Sequence, residues 1–350
     1  MSDMTLNPRL VVTGATGFIG SRLALHAHRS GLDILAAGRI GGPSEAERAE
    51  ELKAAGVRLA VGTLQDGDYL RAVLSDRECV IHLAAAQHES HMPASYFHEI
   101  NVDGTRALLE IAREVGVRRF VYGSTIGIYG SSVDSVLDEQ SAPRPENIYT
   151  QTKLEAEHVV NSFSEELETC VIRISETYGP SDYRLLKLFR AIDNGHFVML
   201  GSGMNRRQCM HVSDLIRVLL LAAHHPQAKG ETFVVAGREV MTSNEMVQMI
   251  AAAMQSRPPR LHVPLWPFNA LARVLELTLP RLGIQPPLHR RRLDFFTKSF
   301  VFSTGKVQSV LGFQPEVDFL SGAADTARWY RARGLLTPRL AHEIANTESV

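Results

Sequence analysis

A doubly wound α/β fold, with a parallel sheet covered on both faces by helices and a smaller C-terminal lobe, is what this sequence of 350 residues predicts. Three observations predict it. Short apolar runs alternate with helical segments through the first half, the runs are unbroken as in strands buried on both faces, and a glycine-rich turn joins the first run to a helix. The strands are expected at 9–13, 33–37, 57–61, 79–83, 120–122 and 170–174. The helices between them begin after turn or capping residues and keep apolar side chains at helical spacing, as Leu108, Leu109, Ile111 and Ala112 do within 102–115. Beyond Gly179 the alternation weakens and Pro and Gly become frequent in 257–267 and 280–287. A first domain over 1–178, to which 207–236 returns, and a second lobe over 179–206 and 237–342 that chooses the substrate are therefore expected. Internal repeats and low-complexity tracts are missing, and 343–350 reads as a frayed polar tail.

Composition narrows the partners. With 37 Lys+Arg against 38 Asp+Glu the formal net charge is -1, so no general field draws the chain to nucleic acid or an anionic membrane, and a small molecule is the expected partner. Cys79, Cys170 and Cys209 follow no CxxC spacing and sit in apolar stretches, as reduced core residues do. Residues 1–8 are polar and lead straight into a strand, without the basic flank, apolar run and cleavage site of a secretory leader; the expected location is cytoplasmic. The longest apolar region, 261–288, is broken by Pro264, Pro267 and Pro280 and carries Arg273 and Glu276, so it does not supply the ~20 continuous apolar residues of a membrane span. Peripheral membrane contact stays open there, because Trp266, Phe268, Leu271, Val274, Leu275 and Leu279 can share one helix face; a core or lid helix is the alternative.

After the first strand comes Thr13-Gly14-Ala15-Thr16-Gly17-Phe18-Ile19-Gly20, opening a helix that runs to about Ser30. Gly14 permits a tight turn, Gly17 a close backbone approach to a pyrophosphate, and Gly20 the packing of helix on strand, with the helix N-terminus aimed at the phosphates. Strand, motif and helix in that order predict dinucleotide binding; a glycine-rich turn without a ligand is the bland alternative. NAD enzymes usually end the second strand with a carboxylate for the ribose 2′-hydroxyl. Here Gly38-Arg39 stands there and Asp33 comes too early, so Arg39 is available to a 2′-phosphate. NADP(H) is the preferred cofactor, with NAD possible and Arg39 as a solvated strand-end charge the competing explanation.

Tyr149 and Lys153, at i and i+4 of a helical segment, project from one face. A phenol is a poor base at neutral pH unless a nearby cation favours its anion, and Lys153 supplies one. The fifth strand runs into Gly123-Ser124-Thr125-Ile126-Gly127-Ile128-Tyr129-Gly130, placing Thr125 where a hydroxyl can hydrogen-bond a reacting oxygen. With 13–20, Val80-Ile81-His82-Leu83-Ala84-Ala85, Asn101-Val102-Asp103-Gly104-Thr105, 124–130, Tyr149/Lys153 and Tyr178-Gly179-Pro180, the chain resembles the extended short-chain dehydrogenases/reductases over most of its length. These include nucleotide-sugar epimerases and dehydratases and 3β-hydroxysteroid dehydrogenases. The resemblance implies a Rossmann-type domain, Tyr149 as acid/base, Lys153 holding the nicotinamide ribose and lowering the Tyr149 pKa, and Thr125 orienting the substrate oxygen. It implies that Gly14 to Gly20, Ser124 and Leu83, Ala84 and Ala85 line the cofactor, that Thr63 and Leu64 stand on its adenine side with Thr63 replacing the usual Asp, and that Asn101 braces the active-site backbone.

Two substrate classes compete. Nucleotide-sugar enzymes usually offer an Asn to the diphosphate where this chain has Glu176, and a carboxylate there repels. The segments 179–186, 292–297, 302–306 and 311–315 resemble the hydroxysteroid dehydrogenase branch, and Trp266 and Phe268 suit a lipophilic pocket. Against this, Arg207 and Arg292 stand near the phosphate-binding arginines of the sugar-nucleotide branch. The expectation is hydride transfer at a secondary alcohol or ketone of an alicyclic, sterol-like substrate, the alternative a nucleotide-sugar 4-epimerase. Dehydration is the least supported chemistry, since Ile126 replaces the acid that a dehydratase keeps beside its Thr or Ser. A non-catalytic cofactor sensor would be expected to lose Tyr149 or Lys153, and both are present. His82, His88, His91 and His98 lack the spacing of a metal motif, so no metal is expected. His211 reads as a packing or hydrogen-bonding residue of the second lobe. Family members often dimerise through the Tyr/Lys helix and its predecessor, for which Leu108, Leu109, Ile111, Val159 and Val160 are available unless they face only the sheet.

Overall fold

Seven strands form one wholly parallel sheet in the computed structural model, which describes residues 8–87, 92–130, 136–278 and 290–337. They are β1 (Leu10–Thr13), β2 (Ile34–Gly38), β3 (Arg58–Val61), β4 (Cys79–His82), β5 (Arg119–Thr125), β6 (Glu168–Ile174) and the strand Glu231–Val235. Across the sheet the order is Glu231–Val235, β6, β5, β4, β1, β2, β3, with every neighbouring pair parallel. The central strands are apolar on both sides because both sides are covered. Leu10 and Val12 join one core cluster while Val11 joins the other, and Val121 parts in the same way from Phe120 and Tyr122.

The covering helices are α1 (Phe18–Arg29), α2 (Pro43–Ala54), α3 (Gly67–Leu74), α4 (Ala94–His98), α5 (Gly104–Glu114) and α6 (Ile148–Ser162), joined by the helix Val212–His224. One π turn, Glu99–Asp103, links α4 to α5. The chain builds outward from β1 to β2 and β3, then returns to place β4 on the other side of β1. The reversal at β1/β4 is the position at which doubly wound sheets bind ligands.

The chain packs as two compact units. The first comprises Met1–Thr177, Cys209–Arg238 and Val301–Glu316, the second Tyr178–Gln208, Glu239–Phe300 and Val317–Val350. Val301–Glu316, expected in the second lobe, belongs to the first unit because Val307, Leu311 and Phe313 enter its core and Phe302 bridges Leu137. His211, also expected in the second lobe, lies in the first unit and caps Val212–His224 by accepting from the Ser213 amide. Leu108, Leu109, Ile111, Val159 and Val160 pack into the core of the first unit. The residues expected to offer a dimer contact are thus turned to the sheet, and α5 and α6 expose Arg106, Glu110, Arg113, Gln151, Glu155 and His158 instead.

In the second unit Ser243–Met254 opens with a capping box between Thr242 and Glu245 and packs against the helix Phe319–Ala332. Phe189 meets the Tyr330 ring edge-on, and the Tyr330 hydroxyl donates to the Asp182 carbonyl. All three cysteines are buried and none is in a disulfide, and burial pushes the Cys79 and Cys170 thiols up to about 12. No helix among the described residues is long and apolar enough to cross a membrane.

Candidate active site

The cradle begins where β1 ends. Gly14 takes φ +68, and a Cβ on it would lie 2.6 Å from the Ala84 nitrogen, so the turn passes against Leu83 and Ala84 at the end of β4. A Cβ on Gly20 would lie 2.3 Å from the Gly14 carbonyl oxygen, which presses α1 onto the turn. Gly17 is the N-cap of α1 in extended conformation and makes no side-chain cap bond. The first-turn amides and the positive end of the helix dipole stand beside the topological switch point, the arrangement that suits a pyrophosphate. Ala15 and Thr16 are buried, Phe18 and Ile19 half-buried against the core. Thr16 donates to the Arg39 carbonyl at 2.6 Å, tying the end of β2 to the turn, and Arg39 Nη1 reaches the Tyr96 hydroxyl at 3.0 Å. Leu83, Ala84 and Ala85 are half-buried, Leu64 packs against Gly104, and Thr63 is exposed. The nearest acid in sequence to Thr63, Asp66, caps α3 through the Asp68 and Tyr69 amides. The residues present fit a dinucleotide: a tight turn that admits no side chain, a helix N-terminus and a basic strand end.

Helix α6 positions the second group. Asn147 and Thr150 form a capping box that sets its first turn, so Tyr149 and Lys153 stand one turn apart. The Lys153 side chain is buried; its Nζ donates to the Gly123 carbonyl at 2.7 Å and lies 4.0 Å from the centre of the Tyr122 ring. Burial lowers the Lys153 pKa to about 7, with Glu157 acting in the opposite direction. Burial raises Tyr122 well above the usual phenol, and neighbouring Tyr149 adds to that. Thr125 ends β5 and accepts from the Gly127 amide at 3.1 Å, capping the turn Ile126–Tyr129. A Cβ on Gly127 would meet the Thr150 methyl at 2.9 Å, so this turn and the first turn of α6 are in contact. Ser124 is different: its hydroxyl donates inward to the Glu157 carboxylate, itself in a buried ion pair with Arg173 at 2.8 Å. Its proton is committed there.

A buried network links cradle and catalytic helix. Thr105 donates to the Asn101 carbonyl at 2.7 Å, so it accepts from His82 Nε2 at 3.0 Å, and His82 Nδ1 accepts from Thr13 at 2.6 Å. This order requires neutral His82 protonated on Nε2, consistent with burial and Lys153 pushing its pKa down to about 3. Asn101 accepts from the Ala86 amide at 2.7 Å and donates to the Ala86 carbonyl and to Thr152 on α6. Asn101 therefore braces backbone, as its sequence context implies. The His82 link was missed: an imidazole in an apolar run carries no visible partner until β1 and β4 are set side by side in register Thr13↔His82.

The residues expected to meet the substrate divide between the two units. Glu176 is exposed, and its carboxylate accepts from Cys209 Sγ at 3.7 Å. Arg207, in the second unit, is buried; it donates to the Phe295 carbonyl at 2.8 Å and stacks over the Phe295 ring at 4.3 Å. Arg292 falls on the helix Arg290–Thr297, with its side chain outside the described residues. His88 and His91 also lie outside them; among the described residues no group of three His, Cys, Asp or Glu is placed to hold a metal.

Comparison with known proteins gives the same arrangement a family. Residues 10–236 match the model of the NAD dependent epimerase/dehydratase family. A dTDP-glucose 4,6-dehydratase of Streptomyces niveus is 28% identical over 341 residues, covering 92% of this chain and 93% of its own. The decarboxylating sterol-4-alpha-carboxylate 3-dehydrogenase erg26 of Schizosaccharomyces pombe is 27% identical over 262 residues, 71% of this chain and 76% of its own. The structure of MoeE5 in complex with UDP-glucose and NAD superposes with a TM-score of 0.72 at 27% identity, covering 93% of this chain and 99% of that one. With the family match spanning well over half of its length and the glycine cradle and Tyr/Lys helix in place, the chain belongs to the NAD dependent epimerase/dehydratase family of extended short-chain dehydrogenases/reductases.

Proposed function

We propose that the protein transfers hydride at a secondary alcohol or ketone of an alicyclic, lipophilic substrate, with NADP(H) preferred over NAD(H). The observation that carries the reaction class is Lys153 held buried against Gly123, one helical turn from Tyr149 and beside Tyr122. Gly14 to Gly20, Leu83 to Ala85 and, on the adenine side, Leu64 would hold the cofactor. Bound there, the nicotinamide supplies or accepts the hydride. Tyr149 takes the proton from an alcohol, or returns it to a ketone oxygen, while the Lys153 charge favours the phenolate and Thr125 hydrogen-bonds the reacting oxygen. Arg39 supports NADP(H): it stands where a carboxylate would select the ribose hydroxyl, and Thr16 ties its backbone to the cradle.

The lipophilic substrate is supported by Glu176, whose exposed carboxylate repels a diphosphate, and by Arg207, whose guanidinium is engaged by Phe295. The similarity to a sterol dehydrogenase is in keeping with it. A second reading, a nucleotide-sugar 4-epimerase, has the dTDP-glucose enzyme and the UDP-glucose complex among the relatives in its favour. Dehydration has least support, because Ile126 and Gly127 follow Thr125 with no carboxylate. Calorimetric titration with NADPH, NADH and then UDP and dTDP separates these readings. Tighter NADPH with silent nucleotides is the expected result; nucleotide binding at micromolar concentration overturns the lipophilic reading. Tyr149→Phe should abolish turnover with cofactor binding kept, and unchanged turnover overturns the reaction class.

A further inference from the structure

A surface helix normally turns its apolar side inward and its charges to water. The helix Trp266–Thr278 also carries apolar residues on its outer side. Among its described residues Ala272 is buried, with Phe268, Asn269, Leu275 and Glu276 half-buried around it. The opposite side carries Trp266, Ala270, Leu271 and Val274, and at 3.6 residues per turn these fall within one arc of about 140°. Trp266 is 73% exposed, Leu271 49% and Val274 55%, while exposed Arg273 stands at the edge of the same arc. Leu261, 59% exposed, precedes the helix.

Charge points to what covers this face. From Arg257 to Val274 the sequence contains three arginines and no carboxylate, within a chain whose total is -1. Arg257, Arg260 and Arg273 are exposed. A second copy of the chain meeting this face through a two-fold axis would set exposed Arg273 against like charge, so self-association is electrostatically opposed. Aliphatic side chains have no role in holding a phosphodiester backbone, which makes nucleic acid a poor occupant. An apolar helix face with a Trp, bordered by arginines, suits the interface of an anionic bilayer, where apolar insertion and basic attraction act together.

We propose that the second unit docks on anionic lipid bilayers through the exposed face of the helix Trp266–Thr278, with the surrounding arginines selecting anionic headgroups. The proposal is independent of the substrate reading and extends to lipid-dissolved substrates if that reading holds.

The test uses the full chain and vesicles of phosphatidylcholine with or without 30% phosphatidylglycerol. Sedimentation should show binding at least tenfold tighter to the anionic vesicles, weakened by raised salt. In a Trp329→Phe background the remaining tryptophan, Trp266, should shift to the blue on binding. The triple variant Trp266→Ser, Leu271→Ser, Val274→Ser should lose at least tenfold in vesicle affinity with NADPH affinity and thermal midpoint kept. Arg257→Gln, Arg260→Gln, Arg273→Gln should reduce the preference for phosphatidylglycerol while leaving the fold untouched. Failure to bind anionic vesicles, or binding that the triple variant leaves unchanged, overturns the proposal. So does a dimer in light scattering that the triple variant dissociates, which would make the face a self-association surface.

Discussion

Replacing Lys153 by Met separates its structural burden from its chemical use. The ammonium ionises at 10.5 in an unperturbed chain and at about 7 in the fold. Between these values the unfolded chain holds a proton that the folded chain has released, so the stability of the unaltered protein rises with pH from 7 to 10.5; below 7 the full cost of burying the charge is borne. Each pH unit is worth about 1.4 kcal/mol, so this single residue should shift unfolding free energy by about 4 kcal/mol between pH 6 and pH 10. Met fills nearly the same volume without titrating. Urea unfolding at pH 6, 8 and 10 should find Lys153→Met gaining on the unaltered protein by about 4 kcal/mol as pH falls from 10 to 6, other groups cancelling in the difference. Turnover should fall by about 100-fold or more at pH 6, where Lys153 carries the charge that favours the Tyr149 anion. A stability difference independent of pH would refute the argument that Lys153 is a desolvated ammonium, and retained turnover would remove it from the chemistry.

Three further outcomes are expected. Gly14→Ala combines a left-handed φ of +68 with a Cβ 2.6 Å from the Ala84 nitrogen, so it should cost about 2 to 4 kcal/mol and abolish calorimetrically detectable NADPH binding; retained affinity would dissociate the turn from the cofactor. Arg39→Ser should weaken NADPH by about tenfold or more and NADH by no more than about threefold, and equal losses for both would leave Arg39 as a solvated charge. His82 stays neutral in the fold down to about 3 while an unfolded imidazole takes a proton below 6.5, so stability falls as pH drops through that window. At pH 4.5 the loss from His82 is about 3 kcal/mol, and His82→Asn should flatten the acid limb of stability between pH 7 and 4.5 by that amount; an unchanged limb would place the acid sensitivity elsewhere.

What the sequence determined by itself was everything local. The glycine turn reads directly because strand, turn and helix are contiguous and each glycine answers a backbone requirement within eight residues. Tyr149 and Lys153 read directly because one helix carries both. Six of the seven sheet strands followed from unbroken apolar runs, to within two residues except at β5, which extends to Thr125; the edge strand Glu231–Val235 was not among them. Long-range pairing was decided only by the tertiary structure. His82 became a tautomer-locked link between Thr13 and Thr105 once strand order placed β4 beside β1. The Ser124 hydroxyl found Glu157 because β5 and α6 bring that buried carboxylate against it. Leu108, Leu109 and Val160 are apolar whether a helix faces a sheet or a partner; spacing along one helix cannot choose between two apolar surroundings, and packing chose the sheet. The same ambiguity held for Trp266, Leu271 and Val274, and there the fold chose the opposite side, leaving an apolar face to the solvent that periodicity alone would have buried.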